Sequence, residues 1–387
     1  MRSAIIPVCT TLLGVFIAAC QPAPQNNSEP VSEPSASSST ATDVPELVAA
    51  DGSYPVVPLE KDSVVIKIVQ SGAVNLQQAE TIQAGLDANL ETMVAYAEEA
   101  CSTGKKPDFL LYNEFPLTGF SYGSREEKLK FTIEIPGPET AALGEVARAC
   151  DTYIIFGSYA TDPEWPGHIL SLNTVIGRDG EVLKKIWKVR NIKRRFTPDK
   201  EIPTTTIESV YDRFVERYGI EEVFPVLQTE YGNIAVSTVQ LDPMVFAAFA
   251  MRGTEIMFRT STLFSPQDVR ATAFFNNYYS AMSNITFPED SPAAFMGGSS
   301  LIVGPDSRIL AQLEGNVNGI VEAEVPIAEF RKGRTITRFP MDVVAPVFDQ
   351  YQQEIPLNHL DLPAAELPES DQAMKAYLDK ISRWLNQ

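Results

Sequence analysis

Along this chain, apolar runs short enough for strands alternate with longer stretches in which apolar residues recur every three or four positions. Residues 62–69 are rich in β-branched side chains and predict a strand, and the Ile82, Leu86, Leu90, Met93 and Ala97 beyond it share one face of a helix. Residues 109–112 predict the next strand, and Leu143, Val146, Ala147 and Cys150 mark a second helix before a strand at 153–156. The middle of the chain changes character. Residues 169–176 and 181–187 flank Arg178-Asp179-Gly180, a hairpin signal, and residues 224–229 and 233–239 pair around Tyr231-Gly232. A helix over 243–252, a strand over 255–259 and a helix opened by Ser265-Pro266 come next. Strands at 301–303, 309–312 and 320–325 close the pattern. Strand-helix units joined by long hairpins predict an α/β fold, a four-layer α-β-β-α sandwich of two mixed sheets with helices on both outer faces.

The ends of the chain have a different composition. Residues 1–19 read as a targeting segment, with Arg2, an apolar stretch over 5–17 and the small pair Ala18-Ala19 before Cys20. Ile17-Ala18-Ala19-Cys20 resembles the lipobox of bacterial lipoproteins, which implies a signal peptide ending at 19 and a lipidated Cys20 as mature N-terminus. Each buried acyl methylene contributes about 0.8 kcal/mol, so several chains anchor a protein with no spanning helix. Gln21 stands where many such lipoproteins carry an aspartate that retains them at the inner membrane, so the resemblance favours the periplasmic face of the outer membrane. From 21 to about 60 the chain is Pro, Ser, Ala, Thr and acids with no Lys or Arg. Such a stretch buries too little apolar surface to offset its conformational entropy, and residues 20–61 are expected to be a disordered tether. The folded domain is expected at 62–345 and a C-terminal extension at 346–387.

Charge and cysteine usage narrow the partners. The formal net charge is −19, and removing Arg2 with the signal leaves the mature chain near −20. That balance argues against nucleic acid and against anionic lipid bound through the domain surface. Loss of Cys9 with the signal and acylation of Cys20 leave Cys101 and Cys150, each before a predicted parallel strand. In an oxidising compartment they can form a disulfide, or they can remain two buried thiols. His168 and His359 are the only histidines and suggest no metal site, and no phosphate-binding glycine loop or other cofactor motif is present.

Three segments carry candidate chemistry. An apolar run ends on Glu114 in Asn113-Glu114-Phe-Pro-Leu-Thr-Gly119. The first hairpin ends on Lys188. The segment 231–243, which turns from a strand into a helix, offers Ser237, Thr238 and Val239. In this order, over about 64–330, the set resembles the nitrilase superfamily of carbon-nitrogen hydrolases, with Asn113 where proline is commoner. Residues 173–180 and 186–188 look like that family's hairpin and lysine. Ala250-Met-Arg-Gly253 and Met296-Gly-Gly-Ser-Ser300 look like the helix and strand that come after its nucleophile.

The resemblance implies the same sandwich, a homodimer, and a Glu-Lys-Cys triad acting on small amides or nitriles. A carboxylate can serve as base to a thiol, and a lysine beside it can hold the oxyanion of a tetrahedral intermediate. The cysteine, however, is missing. Counting back from Pro243 or Gly253 places its position at Ser237, and counting forward from Gly232 places it at Val239. Two readings are open. One is a pseudoenzyme that kept Glu114 and Lys188 and binds a small amide, a carboxylate or a partner. The other is a hydrolase of small amides or nitriles using Ser237 or an activated water. An acyltransferase, as in the lipoprotein-maturing branch of the superfamily, is disfavoured by the lack of spanning helices. Lys184, Lys185, Lys188, Arg190, Lys193, Arg194 and Arg195 crowd one hairpin end. They read either as an anion-attracting rim, with Arg190, Arg194 and Arg195 as candidates, or as a solvated face paired with local acids.

Overall fold

The computed structural model describes residues 51–120, 125–191, 204–262, 264–336 and 338–350, together with Glu366. The first half contains β1 (Val64–Gln70), α1 (Ile82–Ser102), β2 (Phe109–Leu111), α2 (Arg125–Lys130), β3 (Ile133–Glu134) and α3 (Pro138–Cys150). The long strand β4 (Tyr153–Thr161) leads into the hairpin of β5 (Leu170–Ile176) and β6 (Val182–Trp187). After α4 (Tyr211–Tyr218) come β7 (Leu227–Thr229), β8 (Gly232–Ser237), α5 (Pro243–Met251), β9 (Ile256–Ser261), α6 (Pro266–Asn276) and β10 (Tyr279–Asn284). The last elements are β11 (Ser300–Val303), β12 (Ile309–Leu313), β13 (Gly319–Val325), α7 (Ile327–Gly333) and α8 (Met341–Gln350).

Two mixed sheets result. One has the order β13-β1-β2-β4-β5-β6 with β3 beside β4, the other β12-β11-β10-β9-β8-β7. In each, two parallel pairings form the centre (β1-β2-β4 and β8-β9-β10) and antiparallel pairings extend the edges. The inner faces meet through Ile66, Phe109, Leu111, Val236, Ile256 and Phe258. The outer faces take Leu86, Met93, Leu143 and Ala147 from α1 and α3, and Phe246, Phe249, Val269 and Ala273 from α5 and α6. This is the expected four-layer α-β-β-α sandwich.

Three details depart from the sequence pattern. The tether expected to run to 61 ends earlier, because residues 54–60 are bonded to the domain. Tyr54 Oη donates to Glu255 Oε1 at 2.8 Å, the Pro55 carbonyl accepts from Asn233 at 2.8 Å, and the Glu60 amide donates to the Glu230 carbonyl at 2.9 Å. Strand β10 carries no clear apolar alternation, yet it is wholly buried. Its serines bond to backbone instead: Ser283 Oγ donates to the Val69 carbonyl at 2.6 Å and Ser280 Oγ to the Met257 carbonyl at 3.1 Å. Finally, α8 runs across the expected boundary at 346. The targeting segment, Cys20 and the tether up to residue 50 lie outside the described residues. Among the described residues no helix is long and apolar enough to cross a membrane.

Candidate active site

Glu114 is placed by its neighbours. Asn113 Oδ1 accepts from the Phe115 amide at 3.0 Å, a side-chain turn that throws the chain sharply aside after β2, while Asn113 Nδ2 donates to the Ser71 carbonyl at 3.0 Å. The turn presses against β4 at Gly157, where a Cβ would stand 2.4 Å from the Glu114 carbonyl oxygen. Only glycine allows that approach. The Glu114 amide in turn reaches the Ser261 carbonyl of the second sheet, at 3.4 Å, so the residue sits at the seam between the sheets.

Lys188 is the first residue beyond β6, and its amide donates to the Ser171 carbonyl of β5 at 3.0 Å. Its ammonium nitrogen lies 2.9 Å from Glu114 Oε1, with the two side chains 11% and 5% exposed. Two residues far apart in the chain are thus brought into a nearly dry ion pair. At such a site the attraction is stronger than in water, and each charge depends on the other for its compensation.

The third segment is built differently from an extended strand. β8 stops at Ser237, whose Oγ accepts from the Val239 amide at 3.1 Å and turns the chain. Residues 237 and 239 therefore do not share a strand face. Leu241 has φ 56°, and Pro243 opens α5 at the position where a missing N–H costs nothing. Val239 lies in the apolar layer beneath the helices. Among the described residues, no hydrogen bond joins Ser237 to Glu114 or to Lys188.

A buried ion pair holds this elbow. Arg259, fully buried in β9, donates to the Val239 carbonyl at 2.9 Å and meets Asp268 Oδ2 at 2.5 Å, while its guanidinium lies 4.1 Å from the Phe246 ring centre. Asp268 also accepts from the Leu241 amide at 3.2 Å. Sequence reading missed this pair, although an arginine ending an apolar strand nine residues before an acid in a helix's first turn was a visible signal.

The described residues of the basic hairpin end are paired with acids. Lys184 pairs with Glu222 at 2.6 Å, Lys185 with Asp162 at 2.6 Å, and Arg190 with Asp242 at 2.9 Å. Burial raises the Asp242 carboxyl above its usual range against the opposing pull of Arg190. Arg190 is thus committed to an acid at the mouth of α5, as in the second of the two readings of this cluster. Lys193, Arg194 and Arg195 lie outside the described residues. Cys101 and Cys150, at the ends of α1 and α3, are joined as a disulfide with Cα atoms 5.9 Å apart.

Lys128 was not singled out by sequence. It lies in α2 yet is 2% exposed, and its Nζ donates to Tyr159 Oη at 3.0 Å. Burial lowers its ammonium to about 7; Glu114 and Glu127 oppose that shift and Lys188 adds to it. Among the described residues no three His, Cys, Asp or Glu side chains stand together as metal ligands.

Chemically, the Glu114 carboxylate can accept a proton or an N–H, and the Lys188 ammonium can donate to a carbonyl or carboxylate oxygen. A model of the carbon-nitrogen hydrolase family matches residues 72–335. Among solved structures the chain is similar to a double mutant of the amidase from Nesterenkonia sp. AN1 in complex with acrylamide, at 20% identity and TM-score 0.55, over 76% of this chain and 100% of that one. It is similar also to a cysteine-to-alanine mutant of the Nesterenkonia AN1 amidase from the nitrilase superfamily, at 21% identity and TM-score 0.56, over 75% and 99% of the two chains. A third structure of that amidase carries the acetamide moiety of fluoroacetamide covalently added at its active site cysteine, and matches at 20% identity and TM-score 0.53, over 76% and 99%. These structures have the same sandwich, and the family model covers more than half of this sequence. The chain belongs to the carbon-nitrogen hydrolase family.

Proposed function

We propose that this chain is a lipid-tethered, nitrilase-like protein that has lost cysteine-dependent hydrolysis and binds a small amide or carboxylate, or a partner, at the Glu114–Lys188 site. One observation carries the reading: the turn from β8 into α5 contains no cysteine, and its Ser237 hydroxyl is engaged by the Val239 amide instead of by Glu114 or Lys188. A serine needs a base within hydrogen-bond reach to become a useful nucleophile. The ion pair itself is a binding device, since Lys188 can offer a proton to a ligand oxygen and Glu114 can accept one from a ligand N–H.

Incubating the purified protein with propionamide and with fluoroacetamide tests the reading. Neither ammonia release nor a covalent adduct by mass spectrometry is expected, while a bound ligand should raise the melting temperature by mass action. Turnover that disappears in both Ser237→Ala and Glu114→Gln would replace the pseudoenzyme with a serine-dependent amidase.

Tethering rests on the Ile17-Ala18-Ala19-Cys20 motif, and Cys20→Ala should move the protein from the outer-membrane fraction to the soluble periplasm. A homodimer is supported by the adjacent exposed rings of Phe274 and Phe275 on α6, 57% and 69% exposed with centroids 5.7 Å apart. Sedimentation of Phe274→Asp, expected to give monomers, tests that contact.

A further inference from the structure

Several polar side chains meet on one face of the first sheet, beside the Glu114–Lys188 pair. Tyr159 of β4 stands directly opposite Ser171 of β5. Opposite residues of an antiparallel pair share a face. The register continues to Lys188, whose amide bonds to the Ser171 carbonyl. Tyr159, Ser171 and Lys188 therefore form a row across three strands. Lys128 joins the row through the Tyr159 phenol, with its Nζ 4.4 Å from that ring's centre. Phe115, the residue after Glu114, stacks on the same ring at 4.1 Å. One aromatic ring thus links Lys128 to the turn that carries the carboxylate.

The row is rich in hydrogen-bond donors. Ser171 is 2% exposed, and its buried hydroxyl has no partner among the described residues. Buried hydroxyls are ordinarily bonded, so this one is available to a ligand. The Lys188 ammonium donates and does not accept, and the Lys128 amine does the same while it is protonated. Glu114 is the anionic acceptor in the cluster, and one of its oxygens is already taken by Lys188; the Ser171 and Tyr159 hydroxyls can accept as well as donate. A primary amide brings two N–H donors that need acceptors, whereas a carboxylate only accepts.

We propose that Lys128, with the Ser171 hydroxyl, forms a carboxylate-selecting subsite, and that the occupant of this site is a small monocarboxylate in preference to its neutral amide. The inference rests on the reading that the Glu114–Lys188 site binds a small ligand. Lys128 is faced by Glu127 on its own helix, Glu114 from the end of β2, Lys188 from the end of β6 and the Tyr159 phenol from β4. Glu114 opposes an incoming anion, and the two ammonium groups attract it. Because burial holds Lys128 at about 7, a carboxylate arriving beside it favours the protonated amine and draws in a proton. Binding is then strong below neutral pH and fades above it.

The test is titration calorimetry of the full-length chain in detergent with sodium propionate and with propionamide, at pH 6 and pH 8.5. Propionate should bind more tightly than propionamide at pH 6 and lose about tenfold or more in affinity by pH 8.5. Two buffers of different ionisation enthalpy should report proton uptake. Lys128→Met should remove both the preference and the pH dependence. Lys128→Arg keeps a cation that does not titrate in this range and should bind propionate equally at both pH values. If propionamide binds as well as propionate, or if the pH dependence survives in Lys128→Met and Lys128→Arg, the subsite is wrong while the binding site stands. If neither probe binds the wild-type chain at either pH, the ligand-binding reading fails and takes the subsite with it.

Discussion

Ser237 Oγ accepts a hydrogen bond from the Val239 amide at 3.1 Å, so the two residues that compete for the missing cysteine's position are bonded to one another. The hydroxyl works as a structural acceptor at the end of β8. Ser237→Ala leaves a buried N–H unpaired and should cost about 1–3 kcal/mol, read by urea denaturation, with no change in amide hydrolysis. The same relationship separates the positions in cysteine variants. A thiol at Ser237→Cys, at the turn into α5, keeps the Val239 amide as a donor that favours the thiolate, and should react with iodoacetamide faster than a thiol at Val239→Cys. A thiol at Val239→Cys sits in the apolar layer and should react slowly.

The Glu114–Lys188 pair depends on both members. Removing one charge from a nearly dry pair strands the other, so Lys188→Met and Glu114→Gln should each be destabilising, Lys188→Met by about 3–5 kcal/mol. The double variant should recover part of that loss. A double-mutant cycle by thermal denaturation gives the coupling, and strictly additive losses would show that the two groups do not interact.

Gly157 is where β4 yields to the Glu114 turn. A Cβ there would stand 2.4 Å from the Glu114 carbonyl oxygen and 2.8 Å from its Cα, both rigid main-chain atoms. Gly157→Ala should therefore displace the turn and cost more than about 2 kcal/mol, a core-clash effect, with loss of ligand-induced stabilisation. Unchanged stability with ligand binding intact would mean that the turn has slack.

The physics of each element decides how legible it was in the sequence. The helix face of Ile82, Leu86, Leu90, Met93 and Ala97 and the Arg178-Asp179-Gly180 hairpin are local signals, and α1, β5 and β6 lie where periodicity and turn chemistry put them. Glu114 and Lys188 were readable through their ordered motifs, and the fold pairs them at 2.9 Å. The end of β8 was not, because a serine in a strand and a serine that ends one look alike until its hydroxyl finds a backbone amide. Lys128 was hidden for a related reason. Arg-Glu-Glu-Lys-Leu-Lys reads as a solvated charged turn, and only the packing of α2 against Tyr159 buries the fourth of its residues. Residues 54–60 read as tether because their bonds, from the Tyr54 hydroxyl and from the main chain at Pro55 and Glu60, go to partners 170 or more residues away in the chain.

The bond between Cys101 and Cys150 closes a loop of 49 residues between two outer helices. In the chain-entropy model a loop of that size restricts the unfolded ensemble by about 4 kcal/mol, and measured values for disulfides centre on about 2–4. The Cys101→Ala/Cys150→Ala variant should unfold at correspondingly lower urea concentration. An unreduced tryptic digest of wild type should yield the peptide that joins the two segments, and free thiols titrating at both positions would remove the cross-link from the account.

Lys128 makes the stability of the protein depend on pH in a window that can be named. Its ammonium falls from an ordinary 10.5 to about 7 on folding, chiefly through burial. Between those values the unfolded chain holds a proton on this side chain that the folded chain has released. Stability contributed by this group therefore rises with pH through the window, by at most about 1.4 kcal/mol per pH unit, and the penalty of the buried charge is fully present below about 7. The measurement is a difference between proteins, which cancels the contributions of all other groups. Lys128→Met should be more stable than wild type at pH 6, and the advantage should shrink steadily between pH 7 and pH 9.5. The size at pH 6 should be a few kcal/mol less the lost bond to Tyr159, which is worth about 1 kcal/mol. A difference between the two proteins that stays flat from pH 6 to pH 9.5 would mean that Lys128 keeps its proton in the folded state.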